Sequence, residues 1–271
     1  MPFTFAHPAA AIPLLRPLGR FGVLSALVVG SITPDLWRFL PFGITRAESH
    51  SLLALLWFCL PVGLLVYLLF HLLLKGPLLG LLPPSAASRL GAYTLRFQSL
   101  PSASWPAVVI SLLLGAATHI AWDSITHSGT SATRALPALD AHLFSVGDYP
   151  VYVFKVLQHG SAAVGLLLLV WWSWRWLRRA PVNAVALPVS LSPAQRIAVL
   201  AGIAAITVLT GAWEGMQALA LELPADVLPI QVFVRKAVFY GLRGLAATVI
   251  LYSVGWHGWR VKKYAGRRVA G

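Results

Sequence analysis

His119 and Asp123 stand four residues apart in His119-Ile120-Ala121-Trp122-Asp123, and His127 follows after another four. On a helix this spacing puts the imidazole and the carboxylate on one face. Such a pair offers nitrogen and oxygen donors to a single point, which suits zinc or another divalent ion that accepts mixed ligands. Asp35 and His50, each at an edge of its own apolar stretch, can complete the set from neighbouring helices. A three-helix cluster of this kind could hold one or two ions and could lower the pKa of a water, as hydrolysis requires. Asp35 or Asp123 would then act as ligand or general base. The competing explanation is that these groups only hydrogen-bond helices together. Interhelical polar contacts in membranes average only ~0.6 kcal/mol, which is little reason to hold five scarce ionisable residues at one depth.

His7, in Phe5-Ala6-His7-Pro8, joins this set under one condition. If the N-terminus simply stays in the cytoplasm, His7 is on the wrong side. If residues 8–18 form a half-length helix dipping into the bundle, His7 reaches the cluster, and Pro8 suits the first turn of such a helix. A second group of residues could meet an anion. Lys155 and His159 lie in one apolar segment, and Arg235, Lys236 and Arg243 in another. Lys155, Arg235 and Arg243 could bind phosphate, arginine being suited to bidentate contact. The plainer explanation is snorkelling to headgroups, with Arg243 paired to Glu214.

These residues need elements to hold them, and composition says which. The chain has 271 residues, 58% hydrophobic and only 11% charged, where a soluble domain carries ~25% charged residues. Apolar segments of helical length are read at residues 21–40, 51–74, 105–126, 150–177, 193–220 and 228–256. At ~1.5 Å per residue each is long enough to cross a bilayer core of ~30 Å. The expected fold is all-α: a polytopic membrane helical bundle of about six transmembrane helices plus a short N-terminal helix. Residues 1–179 read as a four-span front part carrying the His/Asp set, 180–192 as a linker, and 193–271 as a two-span back part within one integrated membrane domain. Arg16 and Arg20 before an apolar stretch resemble a signal sequence, but no small-residue cleavage motif follows closely, so the stretch reads as retained.

The net charge of +13 concentrates in alternate loops and the tail. That is the positive-inside pattern, so both termini are expected in the cytoplasm and the His/Asp set toward the outer leaflet. Nucleic acid is not an expected partner; the lipid bilayer is. Cys59 is the single cysteine, which excludes an intrachain disulfide and a cysteine-based metal site.

The opening Pro2-Phe3-Thr4-Phe5-Ala6-His7-Pro8, Gly30-Ser31-Ile32-Thr33-Pro34-Asp35, Ser49-His50-Ser51-Leu52 and His119 through His127 together resemble a bacterial membrane family, domain of unknown function 4184. That family is distantly similar to inner-membrane metal-dependent hydrolases, and the ligand order resembles zinc-dependent phospholipase C. The resemblance implies His7, Asp35, His50, His119, Asp123 and His127 as ligands to a divalent metal, zinc in the first instance. It also implies hydrolysis of a phosphate ester, such as a phospholipid or lipid-linked phosphate, at a bacterial inner membrane. The sequence departs from the soluble zinc group in lacking a His-x-x-x-Glu after His127. A proton- or metal-coupled transporter and a non-catalytic membrane scaffold are the rival readings.

Overall fold

The computed structural model describes residues 4–95, 105–147, 149–182, 191–220 and 228–269. Pro8, Pro13 and Pro17 recur through the first stretch, and each removes a backbone donor from a helix interior. Residues 4–18 accordingly run as alternating short 3-10 and α turns: Thr4–Ala6, Pro8–Ala11, Ile12–Leu14 and Leu15–Leu18. Gly19 then takes a φ of 52°, a conformation that favours glycine, and the chain reverses. Helix α1 (Leu24–Ile32) follows and gives way to 3-10 turns over Thr33–Phe39. Pro34 lacks the N–H that would continue the α-helical ladder, and the Thr33 hydroxyl turns back to donate to the Val29 carbonyl at 2.7 Å. The apolar stretch at 21–40 is therefore not one continuous α-helix.

Five helices are long and apolar enough to cross a membrane among the described residues. They are α3 (Leu55–Leu81), α5 (Trp105–Thr126), α7 (Val153–Arg179), α8 (Pro193–Leu219) and the N-terminal part of α9 (Pro229–Val269), as far as Val261. The short α2 (Arg46–Ser49) precedes α3, and α4 (Pro84–Leu95) and α6 (Ser131–Ala135) lie between the long helices. A helical membrane bundle is thus the fold, with five long crossings where about six were expected. An antiparallel hairpin, β1 (His142–Val146) with β2 (Tyr149–Tyr152), precedes α7, so the fourth apolar segment opens as a strand.

The chain divides into two compact units. Residues 3–67 and 100–178 form the unit that carries the His/Asp set. Its main contact joins α1 to α5. A methyl group on Gly30 would run into the Leu112 carbonyl, and one on Gly115 into that of Leu27, so only glycine allows this close approach. Ala26, Val29, Tyr67, Val108 and Leu112 form one apolar cluster beside it, and Ala54, Phe58, Cys59 and Ala116 another.

Residues 68–99 and 179–271 form the other unit, built on α8 against α9. Gly211 approaches the Ala237 backbone and Gly244 the Thr210 side chain, as small-residue faces do when helices pack closely. Helix α3 widens to π turns at Leu55–Cys59 and Leu69–Leu74. Each wide turn lies just ahead of a proline, Pro61 and Pro77, whose ring displaces the carbonyl one turn back. The Leu73 carbonyl meets the Nε2 of His257 at 3.0 Å, so this histidine has a structural partner within the unit. Most of the expected linker at 180–192 lies outside the described residues.

Candidate metal centre

Four segments of the first unit bring their polar residues to one place. His7 comes from the first helical turns, Asp35 from the 3-10 turns after α1, and His50 from the end of α2. His119 and Asp123 come from the last turns of α5, with His127 just beyond. The reversal at Gly19 carries His7 back to the level of Asp35, where the Thr4 hydroxyl donates to Asp35 Oδ2 at 2.5 Å. The half-length N-terminal segment is thus the arrangement observed, and His7 lies in the cluster.

Asp35, His50, His119 and Asp123 each offer one ligand atom, and all four atoms lie within 4.8 Å of one another. His50 Nε2 stands 3.6 Å from Asp35 Oδ1 and 3.3 Å from Asp123 Oδ2. His119 Nε2 stands 3.9 Å from Asp35 Oδ2 and 3.7 Å from Asp123 Oδ2. Four ligands at ~2.1 Å around a tetrahedral ion are ~3.4 Å apart. The set is therefore near the size of a metal site: these edges would close by ~0.5 Å or less and the widest by ~1.4 Å at most.

The imidazoles are aimed by their far nitrogens. His119 Nδ1 lies 2.7 Å from the Ser31 carbonyl, which the Gly30–Gly115 approach brings within reach. His50 Nδ1 lies 3.1 Å from the Arg46 carbonyl. A backbone carbonyl that accepts one N–H fixes the tautomer and leaves the other nitrogen's lone pair for a metal. His50 Nε2, His119 Nε2 and Asp35 Oδ1 are buried and have no hydrogen-bond partner among the described residues. Buried polar atoms are nearly always satisfied, so three such atoms converging on one space mark a place where something else binds.

His7 stacks on His119, with ring centroids 3.8 Å apart. Burial, then the neighbouring His119 ring, pushes the His7 imidazole down to about 3, so it stands neutral with a lone pair free for a metal. Its Nε2 is 3.5 Å from Asp123 Oδ1, and His127 Nδ1 is 3.5 Å from the same oxygen. Arg46 was not singled out from the sequence, yet its Nη2 donates to Asp123 Oδ2 at 2.8 Å. The signal was the run Thr45-Arg46-Ala47-Glu48, a capping box that starts a helical turn immediately before His50. Two carboxylates face one guanidinium here, and carboxylate oxygens are ligands for a cation. The side chains of His7, Asp35, His50, His119 and Asp123 are at most 10% exposed, while Arg46 keeps 29% and His127 19%. The cluster is open on the Arg46 and His127 side.

The expected anion-binding residues divide between the two units: Lys155 and His159 belong to the one that carries the cluster, Arg235 and Arg243 to the other. The Lys155 ammonium donates to the Pro150 carbonyl at 3.2 Å. His159 is exposed on α7; its neighbour Gln158 reaches His127 instead, at 2.7 Å. Arg235 is exposed on α9. Arg243 lays its guanidinium over Phe239 and Tyr240, and with Glu214, Thr210 and Trp213 it lines a groove of about 610 Å³ within the second unit.

A family model described as "Domain of unknown function (DUF4184)" matches residues 1–254, so the chain belongs to that family. No curated protein and no solved structure matches the chain.

Proposed function

We propose that this family member is a membrane-embedded metal-dependent hydrolase that acts on a phosphate ester, of a phospholipid or a lipid-linked substrate. Asp35, His50, His119 and Asp123 would hold a divalent ion, zinc by preference for a mixed histidine and carboxylate set. The observation that carries this reading is the convergence of buried, unpartnered His50 Nε2, His119 Nε2 and Asp35 Oδ1 on one point. A divalent ion there would supply Lewis acidity, activating a water and polarising a phosphoryl oxygen.

The chain's own groups divide the remaining work. Ser31 and Arg46 backbone carbonyls orient the two imidazoles. Arg46 uses one lone pair of Asp123 Oδ2 and leaves the other free, since each carboxylate oxygen accepts twice. Its partly exposed guanidinium is the nearest cation for the anionic group of a substrate. Lys155, His159, Arg235 and Arg243 remain the further cations assigned to that anion.

Placement in the membrane follows from charge. The end of α7 carries Arg175, Arg178 and Arg179, and its start lies beside the cluster through Gln158 and His127. The positive-inside rule puts the arginine end in the cytoplasm and the cluster toward the outer leaflet. Five crossings would then put the N-terminal segment and the basic tail on opposite faces.

Metal analysis of the purified protein, with release of phosphate or alcohol from phospholipid substrates, tests the proposal. Bound zinc, and turnover lost in His119→Ala and Asp123→Ala, are expected. Wild-type protein that stays folded and turns over substrate after complete metal removal would overturn it.

A further inference from the structure

Resting on the hydrolase reading above, the geometry points to a second divalent-metal position, held by His7 and His127 and joined to the first by the Asp123 carboxylate. The two oxygens of Asp123 face different sets of imidazoles. Oδ2 meets His50 Nε2 and His119 Nε2 at 3.3 and 3.7 Å. Oδ1 meets His7 Nε2 and His127 Nδ1, each at 3.5 Å. A carboxylate serving one ion has no need of imidazole nitrogens about both oxygens. One bridging two ions does.

The spacing agrees. The His7 and His119 rings are stacked 3.8 Å apart at 22°, and their Nε2 atoms face opposite oxygens of the same carboxylate. Ions held by two such nitrogens would be about one ring separation apart. Two-metal phosphoesterase sites place their ions ~3.5–4 Å apart. The stacked His7 and His119 rings thus place one nitrogen at each oxygen of the Asp123 carboxylate. His7 Nδ1 is itself buried without a hydrogen-bond partner.

His127 has the outer support that a ligand needs. Gln158 Nε2 lies 2.7 Å from His127 Nε2. The two ends of a side-chain amide are interchangeable by a half-turn. With its oxygen there, Gln158 would accept the Nε2 proton and leave the Nδ1 lone pair toward the Asp123 Oδ1 locus, the outer-shell arrangement of metal-bound histidines; the Thr126 hydroxyl, 3.2 Å from Nδ1, already donates to the Trp122 carbonyl. Two nitrogens and a shared oxygen leave coordination positions open, as catalytic ions require. The opening lies on the His127 side, where exposure is greater. The ligand class is a pair of divalent ions, and the substrate class a phosphate ester whose anionic oxygens span both.

Manganese(II) titration of the metal-stripped full-length protein in detergent, followed by metal analysis and electron paramagnetic resonance, tests the assignment without an activity assay. Wild type is expected to bind two manganese ions per chain with an exchange-coupled spectrum. His7→Ala and His127→Ala should each bind one, with the six-line spectrum of an isolated ion. Gln158→Leu, which leaves both ligands in place, should weaken the second equivalent by ~10–100-fold and spare the first. One manganese per wild-type chain, kept in His7→Ala and His127→Ala and lost in His119→Ala, would overturn the second position and leave the hydrolase reading standing. Binding of no manganese and no zinc would overturn both.

Discussion

Asp35→Asn separates a metal site from structural polar packing, because the two ideas give opposite signs. Asp35 is 5% exposed, and its Oδ2 accepts from Thr4 while Oδ1 has no hydrogen-bond partner. The Arg46 guanidinium pairs with Asp123. Without metal, a carboxylate at Asp35 has only the His50 and His119 imidazoles, at 3.6 and 3.9 Å, to offset its burial, and burying a charge costs several kcal/mol. The amide keeps the shape and the Thr4 contact and removes the charge. Metal-stripped Asp35→Asn should melt at the wild-type temperature or above it, by up to about 2 kcal/mol, or ~4–8 °C for a chain of this size. Zinc should reverse the order. At a concentration of ~100 times its dissociation constant, zinc stabilises wild type by ~2.7 kcal/mol, or ~5–11 °C. If loss of one of four ligands weakens binding by ~100-fold, the same zinc stabilises the variant by only ~0.4 kcal/mol. Thermal unfolding in detergent, followed by tryptophan fluorescence with chelator and with zinc, reads both numbers. A wild-type melting temperature indifferent to zinc would refute the reasoning. So would an Asp35→Asn variant that is less stable in chelator and gains as much from zinc as wild type does.

Gly115→Ala drives a methyl into the Leu27 carbonyl and should destabilise by about 1–3 kcal/mol; because it parts Ser31 from His119, the zinc-dependent rise in melting temperature should shrink as well. Arg46→Ala leaves Asp123 without its guanidinium, and in chelator it should lower stability by about 1–3 kcal/mol, less than a fully buried pair would because Arg46 is partly solvated; zinc should restore much of that loss, and a variant that zinc cannot rescue counts against the site. On a Cys59→Ser background, Asp140→Cys should react with a membrane-impermeant maleimide in intact cells and Arg178→Cys only after permeabilisation; the reverse pattern would invert the proposed orientation.

The long helices were legible because apolar runs of span length have few other outcomes in water or lipid. Helix α5 ends where its apolar run does, and α8 ends within a residue of its expected limit. The stretch at 21–40 misled because hydropathy measures which solvent a segment prefers, not whether its backbone ladder is continuous. Pro34 breaks that ladder, and Asp35 stands in the first of the 3-10 turns that follow. The i, i+4 spacing of His119 and Asp123 was readable, since both atoms do meet. Gln158 was not: a site search weighs ionisable residues, and the choice between 158 and 159 depends on a helical phase fixed by the hairpin ahead of α7. Arg46 was missed for a similar reason, as its contact with Asp123 joins residues 77 positions apart.

What favours chemistry over the rival readings is the way the cluster is satisfied. A scaffold built on polar contacts gains most when each donor meets an acceptor, and a half-satisfied buried network is worse than an apolar core. Here the far nitrogens of His119 and His50 are satisfied by backbone carbonyls, and the near ones are not. At these two histidines the outward nitrogen is satisfied and the inward one is not, which is how a ligand shell differs from a packing motif. A carrier needs its site reachable from both faces, and transporters hold theirs near the midplane between discontinuous helices. This cluster sits at the last turns of α5 and just before the start of α3, at helix ends, with its exposure confined to Arg46 and His127. Access from one side is what the proposed hydrolase would need to take a headgroup from one leaflet and return the product to the same side.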